Sequence, residues 1–437
     1  MIAPKETIHF IKDFDSTQNR LQSEDPSWIK NLRKASLNRF LECGIPTSKD
    51  EEWKYTNVSA LNDLTLAIAH SGSILENNQL QKFLGPEINL VFVNGKFVKE
   101  LSYAGIPAKG LTIRSWQQAI ENDEKIIEQL LKKYDLQAQK PFVALNQSLA
   151  QEGIFVDVAA NTAIPALIHV VHITSSHAGA LFTTPRCFIH LGKSSEASIV
   201  ETHICFNKDL SYFSNPLTDV YLDENAILHY SKAQSESLKA YHIGTTRVWQ
   251  ERNSSYYGFS LSVGAALTRH DLDIILNGEG CHSTLNGLYA VDKAQHVDNH
   301  TSVDHRFPNC TSNQLYKGIL NGDARAVFNG KIFVRPIAQL TNSYQLNKNL
   351  VLGHNCRIDT KPQLEIFADD VKCTHGATIG QLNEDELFYL QTRAIPKKRA
   401  VIMLSHGFVD DIINKVQNPA VQNIFNSLLV PVFQALE

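Results

Sequence analysis

Cys281-His-Ser-Thr-Leu285 and Cys310-Thr-Ser-Asn-Gln-Leu315 are two versions of one phrase, and they begin 29 residues apart. That spacing suits one turn of a chain that coils its strands, each turn stacking on the last. The surroundings read the same way. From about residue 154 to 380, strand-like runs follow one another with almost no helical periodicity: Ile168-His-Val-Val-His-Ile173, Ala197-Ser-Ile-Val-Glu-Thr-His-Ile-Cys205, Ala226-Ile-Leu-His-Tyr230 and Leu272-Asp-Ile-Ile-Leu276. Between such runs stand Asp223-Glu-Asn225, Asn277-Gly-Glu-Gly280, Asn321-Gly322 and Asn329-Gly330, residues that accept tight turns. Turns every 8–12 residues or so mean an all-β region. Asn-Gly pairs favour hairpins, hence an antiparallel sandwich or barrel. More than 220 residues of strand with no helix is long for one sandwich, and that length with the echo leans toward a β-helix.

The flanks are different. Ser27 to Leu41 carries Trp28, Ile29, Leu32, Leu37, Phe40 and Leu41 at helical spacing and stops at Gly44-Ile45-Pro46. Asn122 to Tyr134 reads as another helix with Ile126, Ile127, Leu130 and Leu131 on one side. Leu90 to Val98, with Asn94-Gly95 at its centre, reads as a hairpin. After Gly380 come three short amphipathic helices. The first is opened by Asn383 with Glu386 as a capping pair, the second by Pro396, and the third by Asn418-Pro419. They pack on the β region or bind a partner. The expected division is residues 1–150 helix-rich, 151–380 a mainly β core, and 381–437 helical and partner-binding.

Composition excludes several functions. The 437 residues hold 41 Lys+Arg against 45 Asp+Glu, a net charge of −4, without the basic excess that phosphate neutralisation demands. Nucleic acid is therefore not an expected partner. At 43% hydrophobic and 9% aromatic the chain can fill a core. No run of about 18 or more apolar residues exists, so no membrane span is expected. The start, Met1-Ile-Ala-Pro-Lys-Glu-Thr-Ile-His-Phe10, is neither a signal peptide nor a transit sequence, which points to the cytoplasm. Seven scattered cysteines, at 43, 187, 205, 281, 310, 356 and 373, form no CxxC and no structural zinc pattern. They read as reduced thiols, mostly small buried hydrophobes.

Four constellations bear on chemistry. Gly192-Lys193-Ser194 ends like a phosphate loop, but Cys187 stands where the first glycine belongs and a strand follows, so no nucleotide site is expected. His296, Asp298 and His300 alternate along a strand and share one face, a set that could ligate iron or zinc or could satisfy backbone groups. The structural role is the expected one. Lys372-Cys373-Thr374-His375-Gly376 puts a thiol and an imidazole on one face where the β region meets the last helices. Those two fill half of a tetrahedral site, so its other ligands would come from a partner. Asp271, Asp273, Asp292, Asp298 and Asp304 could serve a carbohydrate-active β-helix, the alternative reading, although such enzymes are typically exported.

A resemblance adds to these readings. Gly44-Ile-Pro-Thr-Ser-Lys-Asp-Glu-Glu-Trp53-Lys-Tyr-Thr56, Leu267-Thr-Arg-His-Asp-Leu272 with Leu276-Asn-Gly-Glu-Gly280, His296-Val-Asp-Asn-His-Thr301, Lys317-Gly-Ile-Leu320 and Asp369-Asp-Val-Lys-Cys-Thr-His-Gly-Ala-Thr-Ile-Gly-Gln381 resemble the SufB/SufD family of iron–sulfur cluster assembly proteins. By its length and its helical amino-terminal part the chain is similar to the SufD branch. The resemblance implies a right-handed parallel β-helix between helical ends. It also implies a non-enzymatic cytosolic subunit, with a SufB-like paralogue beside the end of the β-helix and a SufC-like ATPase on the carboxy-terminal helices. Alone, the chain could form a homodimer. A transient iron or iron–sulfur cluster would be shared with the SufB-like chain, with His375 and Cys373 as this chain's ligands and none tightly bound to it alone.

Overall fold

Val156, Ile189, Val220, Val248, Ile274, Val303, Ile332 and Leu364 form one row, each the register partner of the next. The row exists because strand side chains alternate faces and the strands stack in register, so each turn returns the same inward position. Leu267 pairs with His296 and His296 with Arg325, an offset of 29 residues each time. The computed structural model, which describes residues 8–68, 80, 84, 88–103, 108–134, 139–175 and 180–436, is a parallel β-helix of about seven turns between amino- and carboxy-terminal helices.

Two sheets enclose its interior. The first stacks Gly153–Val158, Arg186–Leu191, Leu217–Leu222, Tyr241–Gln250, Leu267–Leu276, His296–His305, Arg325–Val334 and Arg357–Ile366. The second stacks Ala163–Thr174, Glu196–Cys205, Ile227–Ser235, Ser255–Ser262, His282–Val291, Thr311–Leu320, Asn342–Val351 and Lys372–Gly380. All these neighbours pair in parallel. Most of the inner faces are apolar, with Ile168, Ile199, Leu228 and Leu285 of the second sheet meeting the row above. The echoed cysteines sit at successive corners, where the thiols of Cys281 and Cys310 both donate to the Gly278 carbonyl, at 3.1 and 3.2 Å.

Turn chemistry holds at most of the expected corners. Asn225, Gly280 and Gly322 adopt φ of 59°, 72° and 64°. Asn329-Gly330 is the exception. It lies inside the strand Arg325–Val334, where the glycine makes room for a side chain: a Cβ at 330 would run into the Gln345 amide. The Asn94-Gly95 hairpin forms as expected, joining Ile88–Val93 to Lys96–Phe97. Its first strand also extends the second sheet beside Ala163–Thr174, so the amino-terminal part builds one end of the solenoid.

Helix Ser27–Cys43 stops at Gly44, whose φ is 68°. The helix expected over 122–134 forms as Glu124–Leu131, and a second helix, Trp116–Asn122, precedes it and is separated from it at Asp123, whose side chain is paired to Arg114. At the other end, Asn383 caps Glu384–Thr392, Pro396 directly precedes Lys397–Ile413, and Asn418-Pro419 opens Pro419–Gln434. The last two helices cover the second sheet's outer face, with Val409, Ile412, Phe425 and Leu428 against Phe259, Leu261, Leu288 and Ile319. Lys317 Nζ reaches the Phe408 carbonyl (2.9 Å) and Asp411 (2.5 Å) and pins the longer helix to the solenoid. The described cysteines are all free thiols. Cys187, Cys205, Cys281 and Cys310 are buried as expected, whereas Cys43 is exposed at its helix end and Cys356 and Cys373 are half-buried. No helix among the described residues is long and apolar enough to cross a membrane.

Candidate functional site

Cys373 and His375 lie on Lys372–Gly380, the last strand of the second sheet. Their register partners one turn earlier, Ser343 and Gln345, are both buried, so alternation turns Cys373 and His375 toward the solenoid interior. No further turn covers them. Lys372–Gly380 ends the second sheet and Arg357–Ile366 the first, and each presents an unpaired edge among the described strands. His375 is therefore exposed although it faces inward, while Cys373 is half-buried against Ile332, Val334 and Ala338. That burial pushes the Cys373 thiol above its ordinary range, so it keeps its proton until a metal competes for the sulfur.

Two further features mark this end as incomplete. Beneath it, Gln345 has both amide atoms buried without a hydrogen-bond partner, and the Thr360 hydroxyl is in the same condition. Around it, Ile337, Leu340, Tyr344, Ile366, Phe367 and Ile379 are exposed. Natural sheets usually blunt a free edge with charge, proline or a covering element. Here Arg357–Ile366 carries Arg357, Asp359, Lys361, Pro362 and Glu365, whereas Lys372–Gly380 has a single charge, Lys372, beside the exposed apolar side chains.

The 296–300 cluster has a different purpose. His296, Asp298 and His300 do share one face of their strand, the outer one, and the amino-terminal segment sits on it. Asp298 accepts from Thr56 Oγ1 at 2.5 Å and from Arg269 Nη1 at 2.8 Å, and His300 Nε2 stands 3.0 Å from it. Arg269 also forks onto Asp271 (3.1 and 3.2 Å), donates to the Glu52 carbonyl (2.7 Å) and lies 3.8 Å over the Trp53 ring. His300 Nδ1 meets Glu52 at 3.3 Å, and His296 meets Thr56 at 3.1 Å. Burial alone would raise the Asp298 carboxyl, but the charges of His300 and Arg269 bring it down to about 2. Burial works against charge on His300 too, and the neighbouring Asp298 overrides it and raises that imidazole. All three residues are thus held by protein partners that tie the amino-terminal segment to the solenoid, so the cluster acts as a clamp.

The other carboxylates are spoken for as well. Lys140 pairs with Asp271 and Asp273, Arg306 and Arg335 with Asp304, and Asn321 donates to Asp292. Gly192-Lys193-Ser194 is a solenoid corner followed by the strand Glu196–Cys205, not by a helix. One group escaped the reading of the sequence. His172, Glu201 and His203 converge inside the first turns of the solenoid. The signal lay in the 31-residue spacing of the two histidines, one turn apart, and in the alternation of Glu201 with His203.

Comparison with known proteins agrees with this architecture. Residues 172–408 match the model of the SufBD core domain of the SUF system for FeS cluster assembly, and residues 4–170 match that of the SufBD amino-terminal region. An iron–sulfur cluster assembly SufBD family protein of Synechocystis is 32% identical over 93% of this chain and 91% of its own. The iron–sulfur cluster assembly protein SufD of Escherichia coli is 31% identical over 87% of this chain and 88% of its own. The chloroplastic protein ABCI7 of Arabidopsis thaliana is 28% identical, covering 90% and 84%. Matched by both family models almost from end to end, the chain belongs to the SufBD family.

Proposed function

We propose that this chain is a non-catalytic subunit of an iron–sulfur cluster assembly scaffold of the SUF type. In it, the open end of the solenoid pairs with the matching end of a SufB-like paralogue. Cys373 and His375 then supply half of the ligand set for iron or a nascent cluster, and the paralogue supplies the rest. The observation that carries this is the uncapped last turn, where a thiol and an imidazole face inward between two free strand edges ringed by apolar side chains. A parallel edge that meets another parallel edge continues the hydrogen-bond ladder, buries the apolar rim and covers the unsatisfied Gln345 and Thr360 groups.

The carboxy-terminal helices serve the second partner, a SufC-like ATPase. Helix Glu384–Thr392 buries none of its residues, and Phe388 is 68% exposed with Tyr389 beside it. A nine-residue helix is marginal without a covering surface, so this one is the docking element. Movement of the ATPase subunits would act through it on the adjoining last strand and open the boundary where Cys373 and His375 lie.

The test is complementation in cells that rely on this pathway. His375→Ala is expected to leave iron–sulfur enzymes immature while the protein accumulates normally. Normal maturation would end the ligand assignment. Phe388→Asp with Tyr389→Asp should abolish co-purification of the ATPase and leave the paralogue bound. Retention of the ATPase would remove this helix from the interface.

A further inference from the structure

The first turns of the solenoid enclose chemistry that the boundary role does not use. His172 lies on Ala163–Thr174, and Glu201 and His203 lie on Glu196–Cys205. All three face inward and are buried. One ligand atom from each lies within 4.8 Å of the others. His172 and His203 are register partners, and their rings stack with centroids 4.6 Å apart. Glu201 is held firmly. Its Oε2 accepts from Thr218 Oγ1 (2.8 Å) and Tyr230 OH (2.6 Å), and its Oε1 accepts from His203 Nε2 (2.6 Å).

His172 is the anomaly. It is 7% exposed, yet neither ring nitrogen has a hydrogen-bond partner, and Nε2 stops 3.9 Å short of Glu201 Oε1. A buried imidazole normally satisfies at least one nitrogen, and this one has only a carboxylate that is already engaged near its Nε2. Nearby, Lys232 Nζ lies 3.7 Å from the same Oε1, also without a hydrogen-bond partner. Glu236, 2.6 Å from His242 Nδ1, and His270, bonded to Thr246 Oγ1 at 3.1 Å, complete the polar interior.

We propose that His172, Glu201 and His203 form an internal site for a borderline divalent cation, iron(II) or zinc(II) in type. Two imidazoles and one carboxylate are the donor set of mononuclear non-haem iron sites and also suit zinc. The protonation states are those that ligation needs. Desolvation holds His172 at about 3 and His203 at about 4, so both rings are neutral at pH 7. Burial works against the Glu201 charge, but Lys232 and His203 outweigh it and keep the carboxylate ionised. Ligation by His203 Nε2 needs the proton that it donates to Glu201 to move to Nδ1, a change of tautomer with no net proton release. The Lys232 ammonium is the competing cation, and an arriving ion displaces it from Glu201. The site is separate from Cys373 and His375. Six inter-strand steps of about 4.8 Å lie between Glu196–Cys205 and Lys372–Gly380, so the two are roughly 29 Å apart and neither depends on the other.

Cobalt(II) titration of the metal-free full-length protein is the test. Wild type should retain one cobalt with ligand-field bands and no thiolate charge-transfer band, and cobalt should raise its melting temperature. Cys373→Ser/His375→Ala should keep that ion. His172→Gln/His203→Gln should lose it, and so should His172→Leu, an apolar replacement beside Phe92 for use if the double variant fails to fold. Lys232→Met should bind it at least about tenfold more tightly, since the competing charge is gone. A wild-type protein that retains no cobalt overturns the proposal. So does an ion kept unchanged in His172→Leu, an ion with thiolate charge-transfer bands, or a Lys232→Met variant that binds no more tightly.

Discussion

Arg269→Met isolates the clamp that joins the amino-terminal segment to the solenoid. Arg269 is 1% exposed and neutralises two carboxylates, Asp271 and Asp298, that are themselves buried. Methionine fills much of the volume but leaves both carboxylates without their guanidinium. Breaking a buried ion pair from one side costs about 3–5 kcal/mol. Lys140 remains 3.2 Å from Asp271 and His300 remains 3.0 Å from Asp298, which places the loss near the lower end, about 3 kcal/mol. Loss of the stacking on Trp53 adds about 1 kcal/mol. Because Arg269 also donates to the Glu52 carbonyl, the damage should appear first as local release of Glu51–Thr56. A total loss of about 4 kcal/mol corresponds to roughly a thousandfold rise in the opening constant. Native-state hydrogen exchange on peptides covering 51–57 reads that quantity directly, with peptides from His282–Val291 as the internal control. Arg269→Lys should not restore protection, since an ammonium cannot fork onto Asp271 and still span to Asp298. Unchanged exchange at 51–57 in Arg269→Met would refute the clamp, as would an equal increase in the control peptides.

Other perturbations report on other parts of the molecule. Burial holds His169, His172 and His270 at about 3 and His203 at about 4, below the ordinary value near 6.5, so the unfolded chain takes up protons that the folded chain refuses. The stability tied to these groups is complete above pH 6.5 and is lost as pH falls toward 4, by at most about 2 kcal/mol per histidine at pH 5. A urea midpoint that stays flat from pH 7 to 5 would contradict this. Ile332→Ala removes one member of the inner row at a fully buried position and should cost about 2–5 kcal/mol, against about 0.5–1.5 for Ile332→Val, by chemical denaturation. Lys317→Met should free helix Lys397–Ile413 from the second sheet at a cost of about 1–3 kcal/mol, seen as faster proteolysis within 397–413.

The solenoid was legible because its turns are nearly constant in length. Cys281 and Cys310 echo each other because they occupy equivalent corners of successive turns and donate to the same carbonyl. Asn329-Gly330 misled because glycine answers two demands, and at 330 the demand is room for Gln345 rather than a positive φ. The pairing of Cys373 with His375 on one face follows from strand alternation alone, and so does that of His296, Asp298 and His300. What satisfies the latter three did not follow, because Glu52 and Thr56 lie some 240 residues away and only the folded chain brings them together. The internal histidines were hidden for a related reason. His172 and His203 look like ordinary strand residues until the turn length that stacks them is known.

The boundary assignment meets its most direct test in iron and acid-labile sulfide analysis of the complex purified anaerobically with its paralogue and ATPase. Wild type is expected to carry iron and sulfide together. Cys373→Ser/His375→Ala should form the same complex with that cluster iron and sulfide lost and any ion at His172, Glu201 and His203 still present. A variant complex with the same iron and sulfide content as wild type would show that the open end of the solenoid does not ligate the cluster.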